Sequence, residues 1–264
     1  MNYNIIISED RKEGGNTMDG PNEKSKYFYI RLTGDYGLIT SPETKGGGEK
    51  ATYPVITKQA VLGILDACYF KPVLKNVVDE VKVINPIRTH TMGVRVPKDD
   101  YKQDRSNITY LVNPEYLIKY HFEWNLFRDD LKKDRNMKKH EAIMQRSIER
   151  GGRRSIFIGA SECQGYVNAI TKDEYESKIS YYEGQTLSFG LMFNSFKYPN
   201  KPGEKLYSYF GNVIMKDGII NFKDQEDCEV KNELSTYDFK YPEQELSVDE
   251  EYAKLEGRWL NDTN

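Results

Sequence analysis

RNMKKHEAIMQRSIERGGRRSIFIG, Arg135 to Gly159, holds a helix, a stop and a strand, and the reading of the whole chain turns on it. Met137, His140, Ile143 or Met144, and Ser147 or Ile148 fall on one side at helical spacing, so a helix is expected from about Asn136 to Arg150. Gly151 supplies the residue that commonly ends one. RSIFIG then reads as a strand.

Working outward, KYFYIRLTGDYGLIT (Lys26–Thr40) alternates Phe28, Ile30 and Leu32 with Tyr27, Tyr29 and Arg31, the period of a half-buried strand. A glycine-rich loop, SPETKGGGEKATY, follows. Thr57 is a good N-cap for the helix KQAVLGILDACYF, whose stripe is Val61, Ile64, Leu65 and Cys68, and Pro72 ends it with Tyr69 in the last turn. NVVDEVKVINPI is the next strand, and RTHTMGVRVPKDDYKQDRSN is a long polar connection without a period. ITYLVNPEYLIKYHFEWNL supplies two more strands around Asn113-Pro114.

The resulting order, strand, helix, strand, strand, helix, strand, is the α+β arrangement called ferredoxin-like, which RRM-type RNA-binding modules share. It is expected over residues 26–165. A small β-rich subdomain is expected over 166–222, with a hairpin VIMKDGIINF turning at Asp217-Gly218. Residues 1–25 read as a disordered extension that folding can do without, and residues 223–264 as an acidic, partly ordered tail.

Charge is distributed unevenly along these segments. The chain of 264 residues has a net charge of −3, yet residues 57–160 carry 20 Lys and Arg against 13 Asp and Glu, and residues 223–264 carry 5 against 13. A basic middle is an electrostatic footprint for nucleic acid, although basic helix faces are often only solvated. Cys68, Cys163 and Cys228 form no C-x-x-C pair, so neither a disulfide framework nor a zinc site is expected. No apolar run approaches a membrane span and no secretion signal is present, which predicts a cytoplasmic protein without a membrane partner.

Three histidines limit the chemistry. His121 reads as a half-exposed strand residue and His90 as a loop residue. His140 differs, because the positive end of its helix and the preceding Lys138 and Lys139 both favour a neutral imidazole that can accept a proton. Lys139 beside it could hold negative charge on a phosphorus-centred transition state. Spacing alone also fits a lysine-rich helix start that is merely soluble. Asp129-Asp130 with Asp134, and Asp99-Asp100 with Asp104, are the nearest carboxylate groups for a metal, but they lie among lysines and arginines, and no metal is expected. The glycine runs KGGGEK and RGGRRS lack the P-loop pattern, and no cofactor is expected.

GDYGLITSPETKGGGEKATYPVITKQAVLGILDACYFKP, VINPI and HFEWNLFRDDLKKDRNMKKHEAIMQRSIERGGRRSIFIGASECQGYV, in that order, resemble the CRISPR-associated Cas-five family, d variant, of the type I-C system. The resemblance runs from about Tyr27 to Phe222. It implies a RAMP-type endoribonuclease that cleaves CRISPR precursor RNA at the base of the repeat hairpin without metal. The 2'-hydroxyl would attack, leaving a cyclic phosphate, and the product would stay in the interference complex. The other subunits of that complex, and double-stranded DNA, become expected partners. The family's catalytic Tyr, Lys and His match Tyr69 of ACYFKP and Lys139-His140 of MKKHEAIMQRS. Lys71, Lys132, Lys133, Lys138, Arg150, Arg153 and Arg154 are expected to bind the RNA. The main alternative is a non-catalytic subunit that holds guide RNA, as related proteins of other subtypes do. A third, a metal-dependent nuclease, predicts that a chelator abolishes activity.

Overall fold

Phe28, Ile30 and Leu32 turn into the core while Arg31 stays exposed, so β1 (Phe28–Gly34) forms where the alternation demands it. The structure is a computed structural model and describes residues 24–46, 49–97, 103–200, 203–236, 248–250 and 252–253. After β1 come β2 (Tyr36–Gly37), α1 (Pro42–Lys45), β3 (Lys50–Ala51), α2 (Lys58–Cys68), β4 (Leu74–Val83), β5 (Thr89–Pro97), β6 (Gln103–Val112) and β7 (Glu115–Trp124). A 3-10 turn at Asp129–Asp134 leads to α3 (Met137–Glu149), β8 (Ile156–Phe157), β9 (Gln164–Ala169) and α4 (Lys172–Ser177). The rest is β10 (Thr186–Lys197), β11 (Lys205–Lys216), β12 (Ile219–Ile220) and β13 (Val230–Thr236).

The chain is thus a mixture of α and β with mostly antiparallel sheets. The larger sheet runs β10-β11-β12-β4-β7-β1-β9-β8, and the smaller one β2-β6-β3 with β5 on β6. β1 lies antiparallel between β7 and β9, β4 is antiparallel to β7, and β3 is parallel to β6. The described residues fall into two compact units, one made of those up to residue 195 together with 209–231, the other of those in 196–208 and after 231. Within the second unit Lys205 pairs with Glu233 at 2.8 Å.

Both expected helices form, each with its cap. The Thr57 hydroxyl accepts from the Ala60 amide, and Val61, Ile64, Leu65 and Cys68 are the buried stripe of α2. The Asn136 side chain accepts from the Lys139 amide, and His140, Met144, Ser147 and Ile148 are buried on α3, with Ile143 only partly so. Their apolar residues join Phe28, Ile30, Leu32, Ile118, Tyr120 and Phe122 in one core. Each such side chain, fully buried, stabilises the fold by roughly 1.5–3 kcal/mol.

Two expectations are corrected. RTHTMGVRVPKDDYKQDRSN is no featureless connection, because β5 and the start of β6 form a hairpin there with His90 opposite Tyr110, Met92 opposite Ile108 and Val94 opposite Ser106. Met92 and Val94 pack against Ile108 and Tyr110 while the other face carries Thr91, bonded hydroxyl to hydroxyl with Thr109 at 2.9 Å. Two apolar residues in a polar strand are too few to register as a period. RSIFIG, in turn, yields only Ile156–Phe157, and the strand beside β1 is β9.

Gly159 explains that interruption. Its φ is +89°, and a Cβ built there would stand 1.9 Å from the Leu38 carbonyl oxygen. The Leu38 amide meanwhile donates to Ile158 O at 2.9 Å, and the Ala160 amide to Leu38 O at 2.9 Å. Gly159→Ala is therefore expected to destabilise the protein by on the order of 3 kcal/mol, read as a lowered Tm; an unchanged Tm would contradict this packing.

Asp217 (φ 53°) and Gly218 (φ 78°) make the expected tight turn between β11 and β12. The proposed N-terminal extension lies outside the described residues except for Lys24 and Ser25, whose amide donates to Phe122 O at 3.0 Å. Most of the acidic tail beyond β13 lies outside them as well. Among the described residues no helix is long and apolar enough to cross a membrane.

Candidate active site

Tyr69 caps α2 with an extended backbone, φ −158° and ψ 116°. Consecutive side chains on such a backbone point opposite ways. Tyr69 turns inward, 1% exposed, and Phe70 outward, 50% exposed. Inside, the Tyr69 hydroxyl meets His140 Nδ1 at 2.8 Å. His140 is fully buried in the first turn of α3, with Trp124 edge-on to its ring at 5.8 Å between centroids. Its Nε2 lies 2.9 Å from the Asp134 carbonyl oxygen.

These contacts fix the tautomer. A backbone carbonyl can only accept, so Nε2 carries the hydrogen and donates. Burial pulls the imidazole below its ordinary pKa, with Lys139 and Lys71 acting the same way against the opposing influence of Asp134. The sequence-based reason for a neutral His140, helix end plus lysines, is thus secondary to desolvation. In the neutral ring Nδ1 holds the free lone pair, so Tyr69 donates its O–H to it. The phenol is pushed up by burial, with Asp134 adding and Arg153 opposing. Tyr69, His140 and the Asp134 backbone form one directed chain of hydrogen bonds.

Lys139 joins this chain from the solvent side, its ammonium bonded to the Asp134 carboxylate. That bond, more than any other influence, holds the Asp134 carboxyl below the usual range. The structure also draws in two of the residues expected to bind RNA. The Arg153 guanidinium sits 4.7 Å over the Tyr69 ring and its Nε donates to Ser147 Oγ at 3.0 Å. Lys71, exposed two residues after Tyr69, acts on both His140 and Asp134 through its charge. Lys132, Lys133, Lys138, Arg150 and Arg154 are exposed on the turns and helix ends nearby in sequence, without a direct contact to the pair. Arg153→Ala is expected to lower the salt slope of RNA binding by about one unit, since one phosphate contact would be lost. An unchanged slope would place Arg153 outside the RNA interface.

His121 is corrected from half-exposed to buried, with Nδ1 at 2.7 Å from Asp79 Oδ2 and Nε2 at 3.4 Å from Glu123 Oε1. Asp79 reaches it from the neighbouring strand β4, which no single-strand alternation can show. His90 is exposed on β5. Among the described residues no three His, Cys, Asp or Glu side chains converge as metal ligands would. Asp129 and Asp130 pair with Arg135 and Arg128 instead, while Asp99 and Asp100 lie outside the described residues. Sequence reasoning weighed Asp134 only as a metal carboxylate and missed Trp124 and Ser147 as parts of the site. Only the position of Asp134, six residues before His140 and amid the basic run, could have pointed to it.

The family of CRISPR-associated proteins described as Cas_Cas5, variant d, matches residues 28–223, which include every residue of this cluster. The chain belongs to the Cas5d family. A stretch of 59 residues is 42% identical to the "CRISPR pre-crRNA endoribonuclease Cas5d" of Mannheimia succiniciproducens, covering 22% of this chain and 25% of that Cas5d protein's length. Two of the solved structures similar to this chain are informative. One, described as a CRISPR-associated protein, is 46% identical with a TM-score of 0.71 and covers 81% of this chain and 100% of its own. The other, the functionally uncharacterized protein SMU1763c from Streptococcus mutans, is 45% identical with a TM-score of 0.65 and covers 80% and 98%. The Cas5d assignment therefore rests on most of the chain, whereas the match to the named endoribonuclease covers a quarter of that protein.

Proposed function

We propose that this Cas5d protein is a metal-independent endoribonuclease that cuts CRISPR precursor RNA at the base of the repeat hairpin. It then remains with the product and the other subunits of a type I-C interference complex in the cytoplasm, with double-stranded DNA as a further partner. The observation that carries the reading is the Tyr69–His140–Asp134 hydrogen-bond chain with Lys139 on its rim, in a family whose curated relative is named a pre-crRNA endoribonuclease. The order β9-β1-β7-β4, with α2 and α3 between strands, supports a ferredoxin-like RAMP domain over 26–165 whose last strand, β9, runs on to Ala169, and a β-rich subdomain over 166–222.

In the proposed reaction the ribose 2'-oxygen attacks its own 3'-phosphate, the bond to the 5'-oxygen breaks, and a cyclic phosphate and a 5'-hydroxyl result. The tautomer makes His140 a base toward Tyr69: the phenol oxygen takes the 2'-hydroxyl proton as its own proton passes to Nδ1. The imidazolium so formed has the Asp134 carboxylate 3.6 Å from Nε2. Lys139, drawn from Asp134 to the RNA, would hold the charge that grows on the phosphorane oxygens. The leaving 5'-oxygen takes a proton back through the same chain.

Incubating the pure protein with the labelled repeat RNA of its own locus in excess chelator tests this reading. Cleavage to a cyclic phosphate at undiminished rate is expected, and loss of activity in chelator would overturn the metal-free mechanism. One observation favours a second reading: Tyr69 and His140 are both closed to solvent. If the pair is only a brace and the protein a guide-RNA-binding subunit, it binds this RNA and leaves it whole.

A further inference from the structure

Phe70 and Phe127 are large apolar rings left in solvent, 50% and 72% exposed, beside a cluster of buried aromatics. Exposed aromatics scattered singly need no explanation, but these two lie on segments that are hydrogen-bonded to each other. Leu74 on β4 is paired with Trp124 on β7, so the segments before the one and after the other leave the sheet at the same end. They are then laced together. The Asn125 amide donates to Val73 O at 2.8 Å, and Asn125 Nδ2 to Pro72 O at 3.0 Å. The Asn125 side-chain oxygen accepts from the Phe127 amide at 3.2 Å.

The Arg135 side chain, 4% exposed, braces the second segment. Its Nη2 donates to Asn125 O at 3.3 Å and to Arg128 O at 3.4 Å. Arg135 follows Asp134, whose carbonyl orients His140. The loop carrying Phe127 is thereby tied to the residue that holds the imidazole, and Phe70 is bonded directly to Tyr69. Both residues therefore sit on segments that adjoin the candidate active site.

We infer that Phe70 and Phe127 form a stacking platform for an unpaired RNA base next to the cut phosphate. The inference rests on the proposed function and adds a positioning role to it. The charge of the surroundings selects the occupant. Lys71, Lys132, Lys133, Lys138 and Lys139 are all exposed around these segments, and aromatics interleaved with cations suit single-stranded nucleic acid better than an apolar protein face. A base inside the hairpin is already stacked on its neighbours, so the platform takes one from the single-stranded flank. Holding that base fixes the sugar-phosphate beside it, which the in-line attack requires.

The probe is the repeat RNA hairpin with its single-stranded flanks and a deoxyribose at the cut position, so that binding is read without cleavage. Phe127→Ala should weaken its binding by roughly 5- to 150-fold, and Phe70→Ala should weaken it as well. The salt slope should not change, since a phenyl ring neutralises no phosphate. Phe127→Tyr should bind like wild type and Phe127→Leu like the alanine variant. A single abasic nucleotide moved along the flank should weaken wild-type binding at one position and have little further effect there on Phe127→Ala. Alanine variants that bind within about two-fold of wild type would overturn the platform, as would Phe127→Leu binding as tightly as wild type, the mark of a plain apolar contact. If wild type binds and cuts the ribose RNA while the alanine variants do so equally well, only this inference falls. If wild type binds no repeat RNA, the proposed function falls with it.

Discussion

His140→Ala is expected to cut repeat RNA on the order of 10²- to 10⁴-fold more slowly than wild type while binding it almost as tightly. The rate falls because His140 Nδ1 is the acceptor that the Tyr69 hydroxyl faces, while Arg153 over the ring face is a permanent cation that cannot accept a proton. Affinity should survive because the imidazole is fully buried, whereas the cations proposed to meet phosphates are exposed. Burial also gives the substitution a structural cost. It opens a gap beside Trp124 and leaves the Tyr69 hydroxyl and the Asp134 carbonyl short of a partner, so Tm should drop too. The comparison must be made well below the variant's Tm, with binding measured on the same sample. His140→Ala that binds and cuts near the wild-type rate would leave this histidine a buried brace and remove the mechanism.

That outcome differs from the bland alternative visible in the sequence, a solvated basic helix, because the structure excludes it: His140 is core. The sequence places His140 correctly on the helix side that carries Met144, Ser147 and Ile148, and the four-residue stripe of α2 is equally legible. Those stripes are local, set by helical spacing, and a local pattern is what a sequence displays. The partners of His140 are not local. Tyr69 comes from another helix end 71 residues away, and Trp124 from the end of β7. Only the family resemblance, not spacing, joins Tyr69 to His140 before the fold is known.

The same limit accounts for the misread segments. In β5 the residues that define its buried face are Met92 and Val94, and their partners Ile108 and Tyr110 arrive from β6. RSIFIG has the composition of a full strand, but Gly159 must leave the β region where the Leu38 backbone crosses, so pairing passes to β9. His121 owes its burial to Asp79 on β4, and Tyr27 edge-on at 5.7 Å. In each case a neighbouring strand decides, and the strand's own residues do not announce it.

Tyr69→Phe separates relay from positioning. The substitution removes one hydroxyl and leaves the ring, so Arg153 keeps its stacking partner and the core keeps its volume. What disappears is the donor at 2.8 Å from His140 Nδ1. If the phenol only positions RNA, the neutral imidazole remains a base and the rate falls modestly. The geometry argues otherwise: Nε2 is committed to the Asp134 carbonyl, and the one lone pair of the ring points at Tyr69, so a proton reaches His140 only through that oxygen. Tyr69→Phe should therefore slow cleavage within about ten-fold of His140→Ala, and the double variant should be little slower than either, as groups acting in one chain are strongly non-additive. Single-turnover rates at saturating protein make the comparison. A Tyr69→Phe rate close to wild type, or a double variant slowed by the product of the two single effects, would break the relay and put the RNA against His140 by another path.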